Sequence, residues 1–528
     1  MYIGMDERKK RSIGAIVKEA ASQYGQRVYA QCGGKDVTYH ELDEQTNRVA
    51  NSMLKLGITK GSKVALMLPN SLEFLYTWFG LAKLGAIDVP LNTNLKGDRL
   101  KYIINNSDSE AIVLGEQYVD RIMDVQSELN NIKHVILHSS KPSASKMVFN
   151  TIPFSQILGG APSPPEVTVL STEDSAIIYT SGTTGLSKGV LLSHESIVTT
   201  SEFTNENARF TDEDIFYVCM PLFHLAARTT GIIPALLLGA RIAIVEKFSA
   251  SRFWEDIWKY KATTYYYTGS VQVILYNQPE KPEDKENLVR VAVGAGFPGS
   301  IMMDFEKRFG LKIMEGYGLT ESPWTTLTPW GEGKPGSVGK AITGFEVRIV
   351  DDDGFEVPLG VTGEIVSRPN DNPYRLFNGY YKMPEETVLA LRQTWFHTGD
   401  RGWKDEDGYF YFFDRKKDVI RRRGENISSF ELENIICSHP SVAECAAIGV
   451  PSALTEDDVK VVVRLEPGAK LAPEELHQFC QDKMDYYMVP RYIEFVEILP
   501  KTPTERVEKY KLKENWLTPE TWDSEKHE

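Results

Sequence analysis

The chain has 528 residues, a formal net charge of −14, 42% hydrophobic residues and 25% charged residues. That length exceeds one ordinary domain, the composition is that of a globular chain, and the acidic balance argues against non-specific attraction to nucleic acid or an anionic membrane, which require a basic face, while leaving room for a local basic site. Five cysteines, an odd number without CxxC spacing, point to neither a disulfide framework nor a zinc site, so a reducing, cytoplasmic compartment is expected.

The opening MYIGMDERKKRS is charged but leads into no uninterrupted apolar core, so no secretory leader is expected. No run of about 18 apolar residues occurs, and the most apolar stretches, near 74–86 and 231–245, are interrupted by Lys83 and Arg241. They read as buried core elements rather than as transmembrane segments. In chain order, apolar runs at 63–68, 111–114, 134–137 and 241–245 suit buried strands, with helical patterns between them. The spacing predicts a helix over 71–84, entered after Pro69-Asn70 and stopped at Gly85. Ser/Pro-rich stretches at 139–145 and 162–165 read as surface loop. Residues 346–350 and 363–366, with the acidic turn 351–354 between them, predict a small antiparallel unit. The charge-dense run 414–424 reads either as a solvated strand and turn or as a link between domains. It precedes a helical pattern at 430–437. The fold class expected is α/β, with layered sheets, a small β unit and a second, smaller α+β domain.

The densest chemistry lies at 179–190, YTSGTTGLSKGV, behind the apolar strand 176–178. Gly182, Gly185 and Gly189 permit sharp turns that bring backbone N–H groups close to an anion. Thr180, Ser181, Thr183 and Thr184 offer hydroxyl donors, and Lys188 a mobile positive charge. ATP is the expected ligand. Lys188 is followed by Gly189 rather than by Ser or Thr, which argues against a Walker phosphate loop.

Further clusters follow in a definite order: Pro221-Leu222-Phe223-His224, Gly294-Ala295-Gly296, Glu315-Gly316-Tyr317-Gly318-Leu319-Thr320-Glu321, Trp395-Phe396-His397-Thr398-Gly399-Asp400 and Asp414-Arg415-Lys416-Lys417-Asp418. Together with the phosphate loop they resemble the adenylate-forming superfamily, which includes acyl-CoA synthetases, peptide-synthetase adenylation domains and beetle luciferases. The likeness runs from about Val37 to Leu512, and six motifs in order make it specific. The wording of 221–227, 245–250 and 424–428 is most similar to crotonobetaine or carnitine CoA ligases and their relatives, although a shared scaffold does not name an acid.

The resemblance implies a large adenylation domain, residues 1–416, and a small mobile domain, residues 417–528. It implies two reactions: a carboxylic acid and ATP give acyl-adenylate and pyrophosphate, and CoA, the co-substrate, then displaces AMP. On the matched positions, Thr184, His224, Glu321 and Arg506 serve adenylation, with Glu321 also binding Mg²⁺ as a hard oxygen ligand. Thr180, Ser181, Gly182, Thr183, Lys188, Gly294, Ala295, Glu315, Gly316, Tyr317, Gly318, Thr320, Asp400 and Arg415 hold the nucleotide. Tyr317 offers a face to adenine, and Asp400 accepts from the ribose hydroxyls. Phe223, His224, Arg228, Tyr267 and Gly296 line the acyl pocket. For Arg228 the plainer expectation is exposure to solvent, and a cationic acid would prefer acidic or aromatic neighbours to an arginine. His194 and His397 are expected to make structural hydrogen bonds. Lys417 is the expected hinge, and Gly424 and Glu425 face the CoA step.

One departure stands near the end. Where the family has Gly-Lys followed by Val or Ile, this chain has Glu505-Arg506-Val507, so the usual catalytic lysine is an arginine. A planar guanidinium does not replace a compact ammonium without consequence, so slower adenylation is expected, with Lys501 or Lys509 as potential substitutes. Rival readings are a non-catalytic or weakly active nucleotide-binding homologue and a luciferase-like or adenylation-only enzyme. The partner expected is a small carboxylic acid; no nucleic acid and no membrane span are expected, and the assembly the reading allows is a homodimer.

Overall fold

The computed structural model describes residues 9–139, 147–180, 187–370, 372–415, 418–422, 425–452, 457–501 and 507–526. The chain divides into two compact units, Met1–Glu346 with Ser367–Phe396, and Val347–Val366 with His397–Glu528. Of the sequence expectations, most of the loop at 139–145, the loop residues 181–186, Lys417, Gly424 and Arg506 lie outside the described residues.

Two sheets build the first unit. Strand Lys63–Met67 lies between Ile87–Pro90 and Ala111–Gly115, parallel to both, and the sheet continues through His134–His138 to Asn150–Pro153. These strands are nearly continuous apolar runs because the sheet is covered on both faces. At its other side Asp174–Thr180 pairs antiparallel with Lys188–Ser193, and Gly379–Tyr380 closes that edge. The phosphate-loop hairpin is thus the rim of a buried sheet.

The helix predicted over 71–84 forms as Leu72–Leu84. Ser71 Oγ caps it by accepting from Phe74 N, and Gly85 ends it at φ 66°. Every residue of this helix except Glu73 is buried. Lys83 can sit there because its ammonium donates to Asp43 Oδ1 and Asn47 Oδ1, both at 2.6 Å. Burial pulls its pKa down while Asp43 holds it up.

Among the described residues the second sheet carries nine strands. Its centre, Ile215–Val218, Thr264–Thr268, Val291–Ala295 and Lys312–Tyr317, is parallel throughout, so the C-terminal ends of several motif-bearing strands gather at one edge. Ligands of open α/β sheets collect at such edges.

In the second unit the antiparallel expectation at 346–350 and 363–366 is met by strands Phe345–Val350 and Gly363–Pro369, in one sheet with Phe396–Lys404 and Phe410–Arg415. Within the run at 414–424, the described residues Asp414 and Arg422 are less solvated than their charge implies. Asp414 accepts from Ser429 N and Oγ, each at 2.6 Å. Arg422 donates to Val489 O at 2.6 Å and lies 3.4 Å from Asp458 Oδ1. Both side chains are buried because each has found fixed partners. Beyond them Val442–Pro451, Asp457–Leu465, Tyr492–Phe495 and Trp522–Asp523 form a sheet, packed by helices Ser429–Cys437 and Pro473–Lys483 around their own apolar core. All five cysteines are free thiols, and no helix among the described residues is long and apolar enough to cross a membrane.

Candidate functional site

The phosphate-loop segment 179–190 is anchored at both ends by one hairpin, in which Thr180 faces Lys188 across the ladder. Thr180 is half-buried, and Ser181, Gly182, Thr183 and Thr184 fall outside the described residues. Lys188 is half-buried and ion-paired with the Glu386 carboxylate, and its ammonium lies 5.0 Å over the Tyr380 ring. On the other end of that tyrosine, the hydroxyl donates to Glu321 Oε1 at 2.8 Å. Glu321 itself is presented by a turn closed by reciprocal backbone bonds between Leu319 and Ser322, and Gly318 precedes it in a place where a Cβ would lie 2.4 Å from Trp324 N. Phe377 N donates to Glu321 O at 2.9 Å, tying this turn to the segment that carries Tyr380. Two residues far apart in sequence, the phosphate-loop lysine and the acidic metal candidate, therefore meet across Tyr380, which belongs to none of the sequence motifs.

Gly294 and Ala295 end one parallel strand and Glu315 sits opposite Gly294 on the next. Gly294 is required by packing, since a Cβ there would come within 2.3 Å of Tyr267 O. Gly296 follows in left-handed conformation, φ 82°, and its N–H donates to Glu315 Oε1. Phe297 N donates to the same oxygen at 3.1 Å and the Tyr267 hydroxyl to Glu315 Oε2 at 2.5 Å. Burial pushes the Glu315 carboxyl up to about 8 although these three donors oppose the rise. The Tyr267 hydroxyl, placed in the acyl pocket by the sequence reading, is committed to this carboxylate and its ring is fully buried. Tyr317 is buried at the end of the same strand, paired with Thr326.

Phe223 and His224 come after strand Ile215–Val218, on the far side of Thr264–Thr268 in the same sheet, their rings 4.6 Å apart, before a π-helical turn, Arg228–Ile232. Such turns occur often at functional sites. Arg228 is not exposed, contrary to the simpler expectation: it has 0% of its surface accessible. Its guanidinium donates to Asp88 Oδ2 and Leu222 O, both at 2.7 Å, and lies 4.4 Å over the Trp78 ring. An arginine is tolerated in this core because a carboxylate and an aromatic face replace its water. His194 is structural, as expected. Its Nδ1 accepts from Ile13 N at 3.3 Å, and burial pushes its pKa down to about 3, so it stays neutral.

In the second unit Asp400 and Arg415 stand directly opposite on paired antiparallel strands. Asp400 is buried, and its N–H donates to Thr398 Oγ1 at 3.1 Å. His397 Nδ1 lies 3.3 Å from Glu364 Oε2. Glu425 begins the short strand Glu425–Ile427 opposite Arg422. The two lysines considered as substitutes for the missing one are engaged elsewhere. Lys501 donates to Glu444 Oε1 at 2.5 Å, and Lys509 lies 2.8 Å from Glu433 Oε1 and donates to Ser429 Oγ at 2.5 Å.

Comparison with known proteins bears on the family and the fold. Residues 17–381 match the AMP-binding enzyme family, and residues 431–506 match the AMP-binding enzyme C-terminal domain. The crotonobetaine/carnitine–CoA ligase of Salmonella typhimurium is 34% identical over 507 residues, covering 94% of this chain and 97% of that protein. Among solved structures, ATP-bound MatB from Rhodopseudomonas palustris is 25% identical with a TM-score of 0.84, covering 95% of this chain and 99% of that one. The fold also matches an anthranilate CoA ligase in complex with anthranoyl-AMP, at 24% identity, a TM-score of 0.88, and 96% and 97% coverage of the two chains. With the family match spanning most of its length, the chain belongs to the AMP-binding, adenylate-forming enzymes.

Proposed function

We propose that the chain is an ATP-dependent acyl-CoA ligase acting on a small acid that carries a quaternary ammonium group, of the crotonobetaine and carnitine kind. The reaction class is that of an AMP-forming acid–thiol ligase. A carboxylate oxygen bonds to the α-phosphorus of ATP as pyrophosphate leaves, and the CoA sulfur then bonds to the acyl carbon as AMP leaves. The observation that carries the reading is the convergence of Lys188 and Glu321 on Tyr380 beside the phosphate-loop hairpin. A carboxylate is a poor nucleophile toward a polyanion, so a site for this step must gather cationic and oxygen-liganding groups at the phosphates and hold the acid in line.

Glu321 suits Mg²⁺. It is a buried hard-oxygen donor fixed by the tyrosine hydroxyl, and no cluster of three or more acidic, His or Cys side chains stands together among the described residues. Glu321 would hold the ion as a hard-oxygen ligand, and the ion would supply charge neutralisation at the nucleotide phosphates. Lys188 and the hydroxyls of Thr180, Ser181, Thr183 and Thr184 bind phosphate, Tyr317 faces adenine, and Asp400 and Arg415 hold ribose. Arg506 bridges the attacking carboxylate and the α-phosphate, Lys417 is the hinge between half-reactions, and Gly424 and Glu425 serve thioester formation.

The cationic acid is supported by the likeness to the Salmonella ligase and by the state of Arg228. An arginine exposed in the acyl wall would repel a trimethylammonium group, but this one has no accessible surface and is paired with Asp88 inside the core. The aromatic Phe223 and the neighbouring His224 leave a wall compatible with a soft cation. Thioester formation measured with a trimethylammonium acid and with its neutral tert-butyl isostere tests the substrate class. A higher kcat/KM for the cationic acid is expected, and equal or inverted values would refute it.

A further inference from the structure

Lys188, which the proposed function assigns to the ATP phosphates, already has an anionic partner in the protein. Its ammonium is paired with Glu386 while it lies over Tyr380. This placement is built into the backbone. Gly379 and Tyr380 pair with Leu191 and Val190, three and two residues beyond the lysine. Tyr380 N donates to Thr387 Oγ1 at 2.9 Å, and that hydroxyl donates to Met383 O at 2.9 Å. The turn into Pro384–Ala390 is thereby fixed and delivers Glu386 to the lysine.

We infer that Glu386 is a positioning residue for the nucleotide step: an internal counter-ion that holds Lys188 against Tyr380 until the polyphosphate of ATP takes the lysine from it. The inference rests on the reading of Lys188 as a phosphate ligand. Both partners are partly exposed, at 32% and 45% of their side-chain surface, so the pair is weak enough to exchange. A polyphosphate carries several charges against one and outbids a single carboxylate. ATP binding is then an exchange of anions on Lys188, and the displaced Glu386 is left as a repelling charge close to the phosphates. Its presence therefore lowers nucleotide affinity while keeping the lysine ordered. Glu386→Gln removes both the competition and the repulsion and still offers an amide oxygen to Lys188, so the position of the lysine is kept.

The test is binding of a non-hydrolysable ATP analogue with Mg²⁺ to the full chain, without acid or CoA. Glu386→Gln is expected to bind about two- to five-fold tighter, the range set by an exposed ion pair. Glu386→Asp should bind like the unaltered chain, and so should Glu385→Gln, which removes the same charge from the exposed neighbouring position. Unchanged or weaker binding by Glu386→Gln, or equal tightening by Glu385→Gln, would overturn the inference. Thermal melting of each variant separates these outcomes from misfolding, since a folding defect weakens binding and does not tighten it. Absence of nucleotide binding by the unaltered chain would refute the proposed function and this inference with it, whereas binding without the expected tightening refutes the inference alone.

Discussion

Arg228 and Asp88 are buried with 0% and 1% of their side-chain surfaces accessible, 140 residues apart in sequence. Arg228→Met leaves a carboxylate in the core without its counter-charge, and the expected loss is about 3–5 kcal/mol in urea unfolding. Adding Asp88→Asn should recover much of it; a double variant no better than the single would contradict the pairing. Glu315 gives a pH signature. Burial raises its folded-state pKa from the ordinary 4.5 to about 8, so its contribution is complete below about 4.5 and is lost as pH rises through 8. Relative to Glu315→Gln, the unaltered chain should lose stability over that window, and parallel stability–pH curves would refute it. Arg506 bears on chemistry rather than stability. With Lys501 on Glu444 and Lys509 on Glu433, both lysines considered as substitutes for the family lysine are already engaged. Arg506→Lys should therefore accelerate acid-dependent pyrophosphate release, and an unchanged or lower rate would end the idea of an adenylation handicap.

At the scale of elements, the strands and the long helix were legible because each reports its surroundings locally. Lys63–Met67 and Ala111–Gly115 are apolar on both faces, and Ser71 and Gly85 bracket the helix with ordinary cap chemistry. Glycines in the motifs were legible as motif, but not for what each does. Gly294 reads as close approach to a ligand, whereas its nearest obstruction is the backbone of Tyr267. Gly294→Ala should lower stability by about 1–3 kcal/mol through this overlap, measured by thermal or urea unfolding. A neutral result would return the glycine to a purely ligand-facing role. Tyr380 and Glu386 were not legible as site residues. Their partners Glu321 and Lys188 lie 59 and 198 residues away, and the short edge strand Gly379–Tyr380 with its flanking backbone bonds brings them together.

For the whole molecule, six ordered motifs sufficed to indicate the family and the α/β class, and the family matches over 17–381 and 431–506 bear this out. What the chain concealed was how its charges are neutralised. Net charge says nothing of Arg228 on Asp88 or of Lys83 on Asp43, because burial of a pair depends on side chains from separate elements. The acid is concealed for the same reason, since a pocket is assembled from strand ends and turns whose local sequence encodes packing as much as recognition.

The most direct measurement of the central claim is the product balance of one reaction mixture, with ATP, Mg²⁺, CoA and a trimethylammonium acid, assayed for pyrophosphate, AMP and thioester together. Acid-dependent pyrophosphate matched by equal AMP and acyl-CoA is the result this account predicts. Nucleotide bound without pyrophosphate release for this acid and for short, medium, branched and aromatic acids would contradict it.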